Sequence, residues 1–191
     1  KIPETVTSIG YAAFYQCEKL ADVDIPESVQ TIELGAFDGS GGLNLWKYDP
    51  SGSSYLIVGD GILLAYKGGG GKISIPDGVK TIGPQCFYDN DLITGVIFPD
   101  SVLTIGEEAF DGCTNLKDVS LPNNLQRIED RAFMNTGLTQ AIIPISVRSI
   151  GVGAFDNSEL HPMDSVVFLG NDLPSVSYKP TAMRISGERL R

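Results

Sequence analysis

A 23-residue repeat is the feature of this 191-residue chain that most limits what it can fold into. The segment IPDGVKTIG at residues 75–83 returns 23 residues later as FPDSVLTIG at residues 98–106. Copies of the unit begin at Ile2, Ile25, Ile75, Phe98, Leu121 and Ile143. A repeat of this length predicts a solenoid, because one unit alone cannot bury its hydrophobic face and must stack on its neighbours.

Every copy carries a phenylalanine at the same phase, preceded by a small residue. These phenylalanines are Phe14, Phe37, Phe87, Phe110, Phe133 and Phe155. A side chain that recurs at one phase in every unit stacks on its own image in the next coil. The six rings are therefore predicted to form the structural core, accompanied by aliphatic columns at the phases of Val6 and Ile9.

Two kinds of local structure are predicted within each unit. The pattern Val-x-Ile-Pro, as in residues 23–26, alternates with period two and ends at a proline, which is typical of a short strand. The following Ile-x-x-x-Ala-Phe segment has helical spacing over one or two turns, which favours a short α or 3₁₀ segment. We therefore expect an α/β fold with a parallel sheet on one face and short helical segments and turns on the other.

The complete unit, L-x-x-V-x-I-P-x-x-V-x-x-I-G-x-x-A-F-x-x-C, resembles the 23-residue leucine-rich repeat of BspA-like bacterial surface proteins. The resemblance covers roughly residues 2–168 and implies a right-handed leucine-rich repeat solenoid, usually part of a longer exported adhesion protein. It implies no catalytic residue and no cofactor. We expect residues 1–168 to form the solenoid and residues 169–191 a C-terminal cap or linker. Since Lys1 lies in mid-repeat, we expect the chain to be a fragment or its first coil to be covered by another domain or subunit.

Residues 49–74 interrupt the repeat and are predicted to contain a β-hairpin. Two apolar runs, at residues 55–58 and 62–66, flank the turn Gly59-Asp60-Gly61. The glycines at 68–71 lack the flanking residues of a phosphate-binding loop and are expected to form a flexible return turn. The aromatic residues of this region are Trp46, Tyr48, Tyr55 and Tyr66. They are expected to cover the break in the stack; a protrusion that contacts a ligand is the alternative.

The cysteines are predicted to be buried structural thiols. Cys17 and Cys113 share a phase with Ser40, where small side chains that form hydrogen bonds recur. This column is expected to face inward and tie the backbones of neighbouring coils. A disulfide is doubtful because three or more coils separate Cys17 from Cys113, well beyond the ~7 Å limit for bridged Cα atoms. Cys86 lies at the phase of the small residue.

Charge and motif content argue against several classes of function. The net charge of −10 opposes binding to nucleic acid or anionic membranes, and no apolar stretch is long enough to cross a membrane. The single histidine, His161, lies in an irregular segment without a nucleophile partner. The acidic column after the repeat proline, which includes Glu4 and Asp100, is expected to be a solvated turn, with Ca²⁺ binding as the alternative. We expect no enzyme and no metal site.

Residues that alternate outward from the strands are the candidate protein-contact face. They are Asp22, Asp24, Ile97, Lys117, Ser120, Gln140, Ile142 and Val167. Ile97, Ile142 and Val167 place apolar side chains at one outward phase, and an apolar stripe on a polar sheet is typical of a protein contact. We therefore expect a non-enzymatic adhesion module, secreted or at the cell surface, that binds extracellular-matrix or other cell-surface proteins. The alternative is a structural spacer without a ligand.

Overall fold

The computed structural model describes residues 1–20, 23–40, 54–157, 163–169 and 174–176. The strands within them are β1 (Ser8–Ile9), β2 (Thr31–Ile32), β3 (Tyr55–Val58), β4 (Ile62–Tyr66), β5 (Gly71–Ser74), β6 (Thr81–Ile82), β7 (Ile93–Ile97), β8 (Thr104–Ile105), β9 (Asp118–Ser120), β10 (Arg127–Ile128), β11 (Gln140–Ile143), β12 (Ser149–Ile150), β13 (Ser165–Phe168) and β14 (Ser175–Val176). They are arranged as a solenoid of stacked coils, as the repeat predicts.

Coils contribute strands to two separate faces. The isoleucine column forms two-residue strands in a seven-stranded sheet of order β14-β12-β10-β8-β6-β4-β3, while β1 pairs with β2. The predicted strands before a proline are β7, β9 and β11, which together with β5 and β13 form the sheets β5-β7-β9 and β11-β13. Pairing between coils is parallel and in register, as in Ile82↔Ile105. The first such predicted strand is not formed, because residues 23–26 are not paired in a sheet.

The predicted helical segments are absent, so the α/β description was wrong for the described residues. The segment around each phenylalanine is a series of turns. Around Phe110, the backbone is left-handed at Glu108 (φ 54°) and Gly112 (φ 77°), two residues on either side. The N–H of Phe110 donates to the carbonyl of Ala132 in the next coil, whereas the N–H of Ala109 donates to Gly106 within its own coil. A helix cannot propagate here because left-handed residues interrupt it and half of the N–H groups bond between coils.

The phenylalanine column is confirmed as the spine of the core. The rings of Phe87 and Phe110 stack with centroids 4.8 Å apart, and Phe110 and Phe133 stack at 5.2 Å. The stack continues from Phe133 to Phe155 at 5.4 Å, and Phe14 stacks on Phe37 at 5.2 Å. Stacking at the spacing of the coils therefore creates a core that no single unit could bury.

The predicted hairpin is confirmed, and it joins the two parts of the solenoid. Strands β3 and β4 pair antiparallel, and β4 pairs parallel with β6, so the hairpin extends the seven-stranded sheet. Two neighbouring residues of β4 pack in different hydrophobic cores. Ile62 packs with the first two coils, and Leu63 packs with the later coils. The ring of Tyr66 lies 5.2 Å from Phe87 and that of Tyr55 lies 5.0 Å from Tyr66, so two of the four predicted rings do cover the end of the stack. Trp46 and Tyr48 lie outside the described residues.

The polar column ties coils together as predicted at two positions. The hydroxyl of Ser40 donates to the carbonyl of Phe14 at 2.6 Å, and the thiol of Cys113 donates to the carbonyl of Phe87 at 3.0 Å. Thr136 stands at the same phase, three residues after Phe133, but its hydroxyl donates within its own coil, to the carbonyl of Phe133. All three cysteines are free; Cys86 and Cys113 are buried, whereas Cys17 is only partly buried. Burial raises the pKa of the Cys113 thiol to about 12.

Candidate ligand-binding surface

The sheet β5-β7-β9 presents the first half of the predicted contact face. Parallel pairing aligns Ser74, Ile97 and Ser120 across its three strands. Side chains alternate along a strand, so Val96 is 1% exposed and faces the core, while its neighbour Ile97 is 49% exposed. Ile97 is thus an apolar side chain that is exposed to solvent between two serines on the neighbouring strands.

The sheet β11-β13 presents the second half. Gln140 is aligned with Ser165, and Ile142 with Val167. Ile142 is 56% exposed, and Val167 is half-buried. This pair places two apolar side chains next to each other, whereas Ile97 lies between two serines.

The predicted apolar stripe is divided between these two sheets. No backbone pairing joins β9 to β11 among the strands that the structure describes. Asp24 is exposed in the first coil, where its carboxylate lies 3.8 Å from the amine of Lys1, on a segment that is not in a strand. Asp22 lies outside the described residues. The sheets therefore carry Ile97, Ser120, Gln140, Ile142 and Val167 of the predicted set, with the exposed Lys117 beside β9.

An ion pair spans the middle of the first sheet. Lys72, Gly95 and Asp118 are aligned on β5, β7 and β9, and the Lys72 amine lies 2.5 Å from the Asp118 carboxylate. A Cβ at Gly95 would lie 3.2 Å from the Lys72 side chain. The glycine therefore leaves the space through which Lys72 reaches its partner two strands away.

Sequence reasoning missed three residues of this surface. Lys72 directly follows the glycines that were predicted to form a return turn, but it lies on β5, an edge strand of the first sheet. Ile145 and Leu169 are 77% and 57% exposed beside the β11-β13 sheet. The sequence did contain a signal for Ile145, because it stands at the phase that Glu4 and Asp100 occupy in other copies. Ile142, Ile145, Val167 and Leu169 together are called the apolar patch below.

The other candidate sites considered from the sequence are the acidic column after the repeat proline, a metal-binding cluster and His161. The column after the repeat proline is exposed from Glu4 to Ile145, as a solvated turn would be. Within the residues that the structure describes, no group of three or more histidine, cysteine, aspartate or glutamate residues is arranged to hold a metal ion. His161 lies outside those residues. The described part of the chain also contains no helix long and apolar enough to cross a membrane.

The sequence of these stacked coils matches the model of a known repeat family. Residues 1–53 and 70–161 match the model of the BspA type leucine rich repeat region, in six copies. The chain belongs to the BspA-type leucine-rich repeat family. No curated protein matches this family member significantly.

Solved structures with TM-scores above 0.5 support the same fold. A leucine-rich repeat protein from Bacteroides capillosus ATCC 29799 is 30% identical, with a TM-score of 0.51, over 61% of this chain and 93% of that one. The pneumococcal vaccine antigen PcpA has a TM-score of 0.56 at 22% identity, over 87% of this chain and 45% of that chain. A leucine rich cell surface protein from Faecalibacterium prausnitzii A2-165 is 25% identical over 90% of this chain and 45% of its own, with a TM-score of 0.44. The BspA-type chain thus spans less than half the length of the last two proteins.

Proposed function

We propose that this chain is a non-enzymatic module of a bacterial surface or secreted protein, which binds protein ligands through the sheets β5-β7-β9 and β11-β13. Membership of the BspA-type family supports the surface location, which the resemblance to bacterial surface proteins implies. Extracellular-matrix proteins and other cell-surface proteins are the proposed ligands.

The observation that carries the proposal is the exposure of aliphatic side chains on the β11-β13 sheet. Ile142 and its register partner Val167 have polar counterparts on other coils, such as Ser74 and Ser120. The water-exposed surface of Ile142 and its neighbours is removed when a partner covers it, and burial of apolar surface contributes about 25 cal/mol per Å². Polar groups such as Gln140 and Ser165 at the edge of the apolar patch supply hydrogen bonds to a partner.

The test is a binding screen with charged variants of the proposed surface. Surface plasmon resonance against a panel of matrix proteins should show saturable binding to at least one. The double variant Ile97→Asp, Ile142→Asp should weaken that binding at least about tenfold, because one exposed apolar side chain on each sheet is replaced by a carboxylate. Val152→Asp is the matched control, since Val152 is 42% exposed and lies outside both sheets. Binding that survives in the double variant would refute the assignment of this surface.

A structural spacer is the second candidate function. Coil-to-coil hydrogen bonds along the stack, such as Phe110 N–H to the Ala132 carbonyl at 2.8 Å, favour a stiff element that holds neighbouring domains apart. If no member of the panel binds saturably, the spacer replaces the binding module.

A further inference from the structure

A cavity of about 390 Å³ is lined by residues of the first two coils and by residues on and beside the seven-stranded sheet. The sheet side is formed by Thr81, Thr104 and Arg127, which are aligned on β6, β8 and β10. The second coil contributes Thr31 and Glu33. The volume lies within the range of roughly 300–1,000 Å³ of small-ligand sites. None of its lining residues belongs to the proposed protein-contact surface, so the cavity is a separate feature of the molecule.

Most of the charged groups around this cavity already have partners. The Glu33 carboxylate accepts a hydrogen bond from the Tyr11 N–H at 2.7 Å. The Asp130 carboxylate accepts one from the Val152 N–H at 2.7 Å. The Glu129 carboxylate lies 3.3 Å from the Arg127 guanidinium. These contacts hold three carboxylates at the edge of the cavity.

Glu107 is the fourth carboxylate that lines the cavity, and Arg131 compensates its charge only in part. Its side chain has no hydrogen bond or ion pair among the described residues. Its pKa is raised, first by desolvation on burial and then by repulsion from neighbours that include Glu108 and Asp130, against an opposing effect of Arg131. The lining therefore contains four carboxylates and only one guanidinium, Arg127. A positive charge placed in the cavity would remove an unfavourable interaction that already exists there.

We propose that this cavity binds a lysine or arginine side chain presented by a peptide segment of a partner protein. The ammonium or guanidinium group is placed against Glu107, and the alkyl stem packs along the threonines of the sheet. Tyr11 lines the cavity and is 72% exposed, so its ring is open to contact with the cation. A peptide is favoured over a free cation because the lining residues Tyr11, Thr31 and Glu33 are exposed, which leaves them accessible to the backbone on either side of the inserted side chain.

The test is a nuclear magnetic resonance titration of the ¹⁵N-labelled chain with the blocked peptide acetyl-Gly-Ser-Lys-Ser-Gly-amide. The matched control replaces lysine with norleucine, which keeps the alkyl chain and removes the charge. The lysine peptide should shift the amide signals of Thr31, Thr104 and Glu107 saturably, and the norleucine peptide should bind at least about tenfold more weakly. Equal binding of both peptides, or no saturable shift at these residues, would overturn the proposal.

Two further arms locate the site and identify the ligand. Glu107→Gln should weaken binding of the lysine peptide at least about fivefold. Asp100→Asn removes a charge outside the cavity and should leave it unchanged; equal effects of the two variants would overturn the assignment to Glu107. n-Butylammonium should bind more weakly than the lysine peptide, and equal affinity would overturn the assignment to a peptide. The Ile97→Asp, Ile142→Asp variant should keep peptide binding, so failure here and failure of the proposed function are distinguishable.

Discussion

Phe110→Ala is the substitution that tests most directly how the coils hold together. The Phe110 side chain is 0% exposed, and its ring is stacked on Phe87 at 4.8 Å and on Phe133 at 5.2 Å. The ring of Phe98 adds an edge contact at 6.0 Å. Truncation of a buried phenylalanine costs about 3–5 kcal/mol. Because three aromatic contacts are lost, we expect a loss of about 4–5 kcal/mol in the free energy of unfolding.

Phe14→Ala is the matched comparison within the same column. Phe14 is only partly buried and stacks on one ring in the described residues, that of Phe37 at 5.2 Å. We expect its truncation to cost about 2 kcal/mol, since less surface is removed from water and one stacked pair is lost.

Urea unfolding monitored by circular dichroism measures both losses, and a Phe110→Leu variant that keeps most of the buried volume should lose less than Phe110→Ala. Equal losses for Phe110→Ala and Phe14→Ala would refute the argument that two-sided stacking gives the column its stability.

Three other predictions concern coil spacing and burial. Gly106→Ala should destabilise the chain by about 1–3 kcal/mol, because a Cβ there would lie 2.7 Å from the Ile82 carbonyl oxygen. Gly69→Ala is the control, because a Cβ at that position meets nothing within 4 Å, and equal urea midpoints for the two variants would contradict the close approach of the coils. Ser40→Ala should cost about 1 kcal/mol in the same measurement, since the hydrogen bond to the Phe14 carbonyl is lost; an unchanged midpoint would show that this bond does not stabilise the first two coils. The pKa of the Cys113 thiol is raised by burial from 9.0 to about 12, so the contribution of the thiol to stability is fully present below pH 9 and is lost as the pH rises towards 12. The wild type should therefore lose more free energy of unfolding than Cys113→Ala between about pH 8 and pH 10. Equal losses in the two proteins would contradict the prediction.

The repeat pattern predicted the core because each repeat contributes the same type of side chain at the same phase. Phe87, Phe110 and Phe133 recur at one phase, and any solenoid that aligns the phases must stack them. The strands β7, β9 and β11 followed for the same reason, since period-two alternation before a proline is a local signal. The helix prediction failed because spacing alone does not show where N–H groups bond. Between Glu108 and Gly112 those bonds alternate between the same coil and the next one, which the sequence does not show.

The sequence by itself determined that this chain is a stack of coils, which residues form its spine, and which side chains of β7, β11 and β13 face outward. Only the tertiary structure decided that β4 joins two cores through Ile62 and Leu63, that the predicted contact face is divided between two sheets, and that Glu107 lines a cavity together with residues of the first two coils. The physical reason is the range of the interactions. Identical phases in neighbouring repeats define local stacking, whereas the packing of the interruption at residues 54–74 depends on contacts between segments that share no pattern.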